Sequence, residues 1–335
     1  MLSGFVGPEV KYAAKAALHR SGALRAARAL KARSAFTVVL FHRVLPDSDP
    51  RAKTADWNYT IKLEHFEGFL DFVRETYAIV TLKQVEEAYR NSAPLPPHSL
   101  LITFDDAWDD TARYAVPALE KRKLPSAIFV PTGGVDNDLL IWGDVAAMLS
   151  RAGALRANGA TGAKDELGEL QRLPAQERTE KLRAALERAG DSVAPVMMTK
   201  AQFAALPRSV ELGGHSVNHI RFTELDDVRH ELAGSHEALR ALTGRAPRSF
   251  AFPHGSYHLH HVGQAHKAGY DLVFTTIPCA NRLDNGRLTS AVLARITLSD
   301  FDMTDRKGAF SESELAYSLF DRPARTLEDA PASST

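Results

Sequence analysis

Apolar positions along this chain follow two alternating rhythms. Short, nearly continuous apolar runs recur at 36–44, 78–82, 99–104, 125–131, 209–214, 248–252, 270–275 and 292–298. Runs of that length bounded by turn residues are strand-like. Between many of them the apolar residues take a helical period. Leu63, Phe66, Phe69, Leu70 and Val73 share one face, as do Leu225, Val228, Leu232, Leu239 and Leu242. Strands alternating with helices predict an α/β fold with a mostly parallel sheet, open or closed into a barrel. In such folds functional side chains gather at the C-terminal ends of the strands.

Three segments depart from this rhythm. Residues 1–34 carry seven Lys/Arg (Lys11, Lys15, Arg20, Arg25, Arg28, Lys31, Arg33) against the single acid Glu9, with Leu18, Leu24 and Leu30 on a weak apolar face. They predict a basic helical extension, either packed on the main domain or resting on an anionic membrane surface. Residues 140–207 read as a helical insertion between two strands: a Gly/Ala-rich stretch, 152–163, then a charged helical segment, 164–189, then Pro195. Such an insertion is either a cover beside the active-site mouth or a plain elaboration. The segment 322–335, rich in Pro, Ala, Ser and Thr, is expected to be a disordered tail. The catalytic domain is thus expected over 35–321.

Bulk properties narrow the function. A formal net charge of zero gives no global attraction to nucleic acid. One cysteine, Cys279, rules out an internal disulfide or a multi-cysteine zinc site. No stretch approaches the roughly 20 apolar residues of a membrane span. Lys11 and Lys15 interrupt the place where a secretory h-region would lie, so a cytoplasmic protein is expected, with the basic arm able to touch the inner face of the membrane.

Candidate chemistry sits at four strand ends. "LLITFDDAWDD", 100–110, carries the adjacent carboxylates Asp105 and Asp106. Neighbouring buried like charges need a cation or a shared proton. "GGHSVNH" places His215 and His219 four apart, able to face one cation if the backbone between them coils into one turn. "FAFPHGSY", 250–257, and "FHRV", 41–44, complete the set. Two imidazoles and one carboxylate suit a borderline metal and leave positions open for water and substrate. The second carboxylate then stays free for proton transfer. Asp109 and Asp110 are expected to start the next helix, where acids suit the dipole. His258, His260 and His261 are expected to be solvated residues at a helix start.

These segments resemble the polysaccharide deacetylase (NodB-homology) family of carbohydrate esterases. "TFDD" at 103–106 looks like its first motif, "HSVNH" at 215–219 like its H-[ST]-x-x-H motif, and "FAFPHG" at 250–255 like its third. "FHRVLPD", "PSAIFVPT" and "AGYDLVFTT" agree in the flanks, and the likeness spans roughly 36–300. The resemblance implies a distorted (β/α) barrel and hydrolysis of an N-acetyl, or sometimes O-acetyl, group on a saccharide. It implies that Asp106, His215 and His219 hold a divalent metal, usually Zn²⁺ (Co²⁺, Ni²⁺ or Mn²⁺ being alternatives). Asp105 would be the general base, and the third motif, here Pro253 and His254, would help bind the oxyanion.

The departures from the family pattern set further expectations. The Arg that often braces the base in the third motif is replaced by Ala251. The late Leu-x-His motif is absent, "LARITLS" offering Arg295 and no His. His42 is therefore expected to protonate the leaving amine. Trp108 would line the sugar site or simply pack. Ala107 stands where many members have Gly. Two other readings stay open: a non-catalytic saccharide-binding relative, and Mg²⁺-dependent phosphoryl transfer, which the two histidines disfavour.

Overall fold

The computed structural model describes residues 8–30, 33–137, 141–155, 163–190 and 197–327. Helices α1 (Pro8–Arg20) and α2 (Ala23–Leu30) come first. They are docked on the main body. Lys15 Nζ lies 2.6 Å from Glu314, Leu24 is buried in the main core, and the Arg28 guanidinium covers the rings of Tyr77 and Phe320. Leu18 and Leu30 stay exposed. Lys31 lies outside the described residues.

The apolar run expected at 36–44 breaks at His42. Strand β1 (Ala35–Phe41) ends there, and β2 (Arg43–Leu45) turns off to pair with β3 (Thr60–Lys62). Helix α3 (Leu63–Thr76) buries Phe66, Phe69, Leu70 and Val73, as its period predicts. The run at 78–82 yields only β4 (Ala78–Ile79). A capping box ends it: Thr81 Oγ1 accepts from Gln84 N while the Gln84 side chain accepts from Thr81 N, so Leu82 opens helix α4 (Leu82–Arg90).

Strand β5 (Ser99–Asp105), helix α5 (Val116–Arg122) and strand β6 (Ser126–Val130) lead into the insertion. It holds α6 (Trp142–Arg151), α7 (Ala163–Arg172), α8 (Ala175–Ala189) and α9 (Lys200–Ala205). The first three close around their own apolar cluster, in which Val145, Leu149, Leu170 and Leu182 meet Trp108 and Met197. Residues 156–162 of the Gly/Ala-rich stretch, and Pro195, lie outside the described residues.

The chain returns to the sheet with β7 (Val210–Gly214), α10 (Arg229–Thr243), β8 (Ser249–Ala251), α11 (Leu259–Lys267) and β9 (Leu272–Phe274). A hairpin of β10 (Ala280–Asp284) and β11 (Arg287–Leu288) turns at Asn285 and Gly286. Both take positive φ, 49° and 86°, as a two-residue hairpin turn of this hand requires. Strands β12 (Val292–Leu293) and β13 (Ile296–Thr297), helix α12 (Glu312–Phe320) and strand β14 (Ala324–Arg325) complete the order.

Strands β1, β5, β6, β7, β8, β9 and β12 lie side by side, every neighbouring pair parallel. The strand expected at 292–298 is split. Its first half pairs with β9 and its second half, β13, with Val39 and Leu40 of β1. This broken segment joins the two ends of the parallel run, so the sheet curls into a distorted (β/α) barrel. Residues 322–327 are not the loose tail expected from their composition. β14 pairs with Ala280 and Asn281 of β10, and Leu327 is buried; residues 328–335 lie outside the described residues.

The period of two assigns each strand residue a side. On β5, Leu100, Ile102 and Phe104 join the core beneath α3 and α5, while Leu101 joins the opposite cluster with Phe129, Ala251 and Phe274. Asp105 shares the phase of Leu101 and so closes β5 on the inner side, at the C-terminal end of the sheet.

Candidate active site

Past Asp105 the backbone turns sharply. Asp106 and Ala107 adopt φ of 71° and 54°, the left-handed region that suits glycine. This accounts for glycine being usual at the position of Ala107 in the family that the sequence resembles. Strain of this kind costs roughly 1–3 kcal/mol per residue and collects at functional sites. Ser216, His219 and His254 share the feature, at φ of 67°, 53° and 57°.

The two glycines before His215 are needed for close packing. A β-carbon on Gly213 would sit 2.5 Å from the Phe129 ring. The stretch 215–219 does not coil into the helical turn expected from its spacing. It is an irregular loop held from outside: Glu231, buried on α10, accepts from Val217 N, Asn218 N and Asn218 Nδ2 at 2.7–2.9 Å, and Ser216 Oγ accepts from His219 N. The loop nonetheless brings both imidazoles to one point.

His219 Nε2 lies 3.0 Å and His215 Nε2 3.4 Å from the same atom, Asp106 Oδ1. These ligand atoms all fall within 4.8 Å of one another. His215 Nδ1 is 2.8 Å from the Ala251 carbonyl, which fixes that nitrogen as the protonated one and turns Nε2 toward Asp106. Trp108 Nε1 donates to Asp106 Oδ2 at 3.1 Å. Asp106 Oδ1 is buried and receives no hydrogen bond of good geometry. A buried carboxylate oxygen without a donor, facing two imidazole nitrogens, fits a divalent cation of borderline softness. Burial disfavours charge on Asp106, but His219 and His215 outweigh it and hold the carboxyl well below its usual range. Burial likewise opposes charge on His219, and Asp106 overrides it, raising the imidazole's pKa.

Asp105 is held differently. Arg295 Nη1 and Nη2 donate to Asp105 Oδ1 and Oδ2 at 2.6 and 2.7 Å, and Arg295 Nε donates to the Thr275 carbonyl at 2.9 Å. Arg295 is fully buried at the break between β12 and β13. Burial pushes the Asp105 carboxyl up; Arg295, then His215, push harder in the other direction, so its pKa lies below the usual value. Asp105 Oδ2 is 3.8 Å from His215 Nε2, beside the candidate metal position. The brace that Ala251 cannot supply therefore comes from the break between β12 and β13.

These residues line one cleft of about 430 Å³, together with His42, Arg43, Asp56, Tyr59, Trp108, Asp144, Met148, Arg151, Arg221, His254, Thr276 and Thr297. His42 ends β1 at this mouth, its ring 5.2 Å from that of Tyr59, and its Nδ1 is buried without a hydrogen-bond partner. Burial lowers the His42 pKa against the opposing pull of Asp106 and Asp105. His254 packs 4.5 Å from the His219 ring; burial, then His219, push its pKa down to about 4. Pro253 is buried in the turn beneath and does not line the cleft. Trp108 is both wall and core. It reaches the cleft with only 4% exposure, and the Arg43 guanidinium lies 4.5 Å from its ring centre.

Asp109 and Asp110 do open the helical stretch that leads into α5, as expected, but both are buried and paired there. Asp110 accepts from Arg43 Nε at 2.8 Å and from Val44 N at 3.0 Å. Asp109 accepts from Arg51 Nη1 at 2.8 Å and from Gln202 at 2.7 Å, and Arg51 also binds Asp49. All five charged groups are buried. Nothing in the sequence flagged Arg51, which joins neighbouring Asp49 to Asp109, or Glu231, which reaches from α10 to the histidine loop. Arg295 was visible only as a gap in a motif. At the helix start, His261 Nδ1 accepts from the His258 backbone, so that pair caps α11.

The polysaccharide deacetylase family model matches residues 92–273, more than half of the chain. Solved structures agree in fold. IcaB from Ammonifex degensii aligns with a TM-score of 0.54 at 20% identity, covering 79% of this chain and 92% of that one. The Streptococcus pyogenes deacetylase PplD in complex with acetate gives 0.53 at 17%, covering 85% and 98%. The de-N-acetylase from Aggregatibacter actinomycetemcomitans gives 0.55 at 14%, covering 85% and 99%. No curated protein matches. The chain belongs to the polysaccharide deacetylase family.

Proposed function

We propose that this family member hydrolyses an acetyl or similar acyl group from an N-acetylated sugar of a polysaccharide, glycolipid or glycan precursor. One observation carries the reading. Asp106, His215 and His219 converge on a point in an open cleft, while the adjacent Asp105 is kept ionised and off that point by Arg295.

Asp106, His215 and His219 would hold a divalent cation, zinc suiting the donor set best. When bound, it would act as a Lewis acid on the acyl carbonyl and on water. Asp105 takes the proton from the attacking water, a role typically worth about 10²–10⁴-fold. Arg295 fixes the orientation of that carboxylate and keeps it unprotonated at neutral pH. The His254 backbone N–H, in the turn over the cleft, helps neutralise the developing oxyanion. His42, in the cleft wall at the end of β1, delivers the proton to the leaving nitrogen.

Two departures were the ground for a non-catalytic reading: Ala251 in place of the third-motif Arg, and the missing late His. Arg295 bracing Asp105 answers the first. Two imidazoles remain poor partners for Mg²⁺ in phosphoryl transfer. Among the described residues no helix is long and apolar enough to cross a membrane. On our reading the substrate is met in the cytoplasm, or at the inner membrane face through α1 and α2, where Arg20 and Arg33 beside Leu18 and Leu30 are exposed.

The test is acetate release from N-acetylated oligosaccharides, with bound metal assayed in the same samples. Asp105→Asn should keep the metal and lose most turnover. Full activity in that variant sinks the assignment of the base. Metal without turnover on any N-acetylated sugar favours a binding protein, and phosphate release favours the phosphoryl-transfer reading.

A further inference from the structure

The insertion contributes one wall of the cleft. Asp144, Met148 and Arg151 follow each other at helical spacings of four and three, so they share one face of α6, and all three line the cleft that holds Asp105 and Asp106. Most charges in this cleft already have partners. Arg295 takes Asp105, the imidazoles face Asp106, Asp110 holds Arg43, and Arg151 Nε donates to the Thr54 carbonyl at 2.6 Å.

Asp144 has no such partner. Among the described residues no hydrogen bond or ion pair reaches its carboxylate. Its place in the first turn of α6 suits the helix dipole, but Asp144 makes no capping contact. Asp144 is exposed within the cleft, so its carboxylate is open to a donor from a bound molecule. A saccharide entering the cleft brings donors.

We propose that Asp144 is a substrate-positioning residue, through which the insertion selects its glycan. Its carboxylate accepts a hydrogen bond from a donor on the sugar bound beside the metal site. The donor is a ring hydroxyl of an acetylated unit or the ammonium of a neighbouring, already deacetylated unit. This rests on the deacetylase reading above and extends it from the reaction to the choice of substrate.

The experiment compares wild type, Asp144→Ala and Asp144→Asn on two probes, with metal content checked in each protein. The first is an N-acetylglucosamine tetramer, followed by amine release. The second is a glucosamine tetramer, which cannot be turned over, followed by calorimetric binding. Asp144→Ala is expected to raise KM on the acetylated probe by about 10-fold or more, with kcat little changed, since a hydrogen bond to a charged group is being removed. Rescue by Asn, whose side-chain oxygen still accepts, identifies a hydroxyl donor. No rescue, with weakened binding of the glucosamine tetramer, identifies an ammonium donor. Unchanged KM together with unchanged tetramer affinity in both variants overturns the proposal, as does a fall in kcat at constant KM. If wild type releases no amine yet binds the glucosamine tetramer through Asp144, the deacetylase reading fails and the subsite stands.

Discussion

Arg295 and Asp105, 190 residues apart, meet in a two-pronged ion pair inside the barrel, with both guanidinium nitrogens 2.6–2.7 Å from the carboxylate oxygens. The split of the last parallel strand makes this contact. With β12 bound to β9 and β13 bound to β1, Arg295 falls at the closure of the sheet, one residue before Ile296, which pairs with Val39 level with Ile102; its long side chain spans the remaining distance to the end of β5.

Replacing Arg295 with Met should leave metal binding intact and cut turnover by about 10²-fold or more, since the base loses both its orientation and its stabilising charge. The sign of the pH effect follows from the pair. Arg295 lowers the Asp105 pKa, so its loss raises that pKa, and the acidic limb of the rate profile moves to higher pH. Arg295→Lys should keep part of the charge effect and lose the fork geometry. An unmoved limb in Arg295→Met would show that Asp105 is not the group that limits the rate in acid.

Glu231 fastens the histidine loop without touching the cleft. Glu231→Ala should weaken metal affinity by about 10–100-fold, the usual effect of removing a group that orients ligands. Competition with a chelating dye measures this. Unchanged affinity would mean that Ser216 Oγ and the strand end hold the loop unaided.

The buried network of Asp49, Arg51 and Asp109 should be costly to open. Arg51→Ala leaves buried Asp49 without its cation and Asp109 with only the half-exposed Arg113, and is expected to destabilise by about 3 kcal/mol in denaturant titration. Arg51→Ala combined with Asp49→Asn and Asp109→Asn should recover part of that loss, because the uncompensated charges are gone.

Glu86 provides a test of stability away from the cleft. It donates no charge to the site; its carboxyl bonds Ser249 Oγ at 2.7 Å at the start of β8, and burial, then Glu211 and Asp271, raise its pKa from 4.5 to about 7 despite Ser249. The folded state thus holds this proton more tightly than the unfolded chain. Its contribution is fully present below about pH 4.5 and is lost as pH rises through about 7. Glu86→Gln should therefore gain stability relative to wild type across that window, by at most a few kcal/mol. Melting temperatures at pH 5 and pH 8 would reveal it. An equal difference between the two proteins at both pH values would show that the carboxyl titrates normally.

Local pattern fixed much of this protein without tertiary help. Runs of β-branched and aromatic residues every few tens of positions, with helical periods between them, specify a parallel α/β sheet, because the side-chain periods of strand and helix are properties of the backbone. The adjacent aspartates and the H-x3-H pair were legible together as a candidate metal site with a spare carboxylate, because two imidazoles and one carboxylate suit a borderline cation. What the sequence could not display are relations between distant segments. Thr81 stops β4 through a local cap, but β13 leaves β12 because two strand edges, β9 and β1, compete for one segment. That competition puts Arg295 against Asp105; the packing of α10 puts Glu231 behind the histidine loop, and that of α6 puts Asp144 in the cleft wall. Each of these side chains is an unremarkable charged residue in its own stretch. Its role comes from what another element brings next to it, and only folding sets that distance.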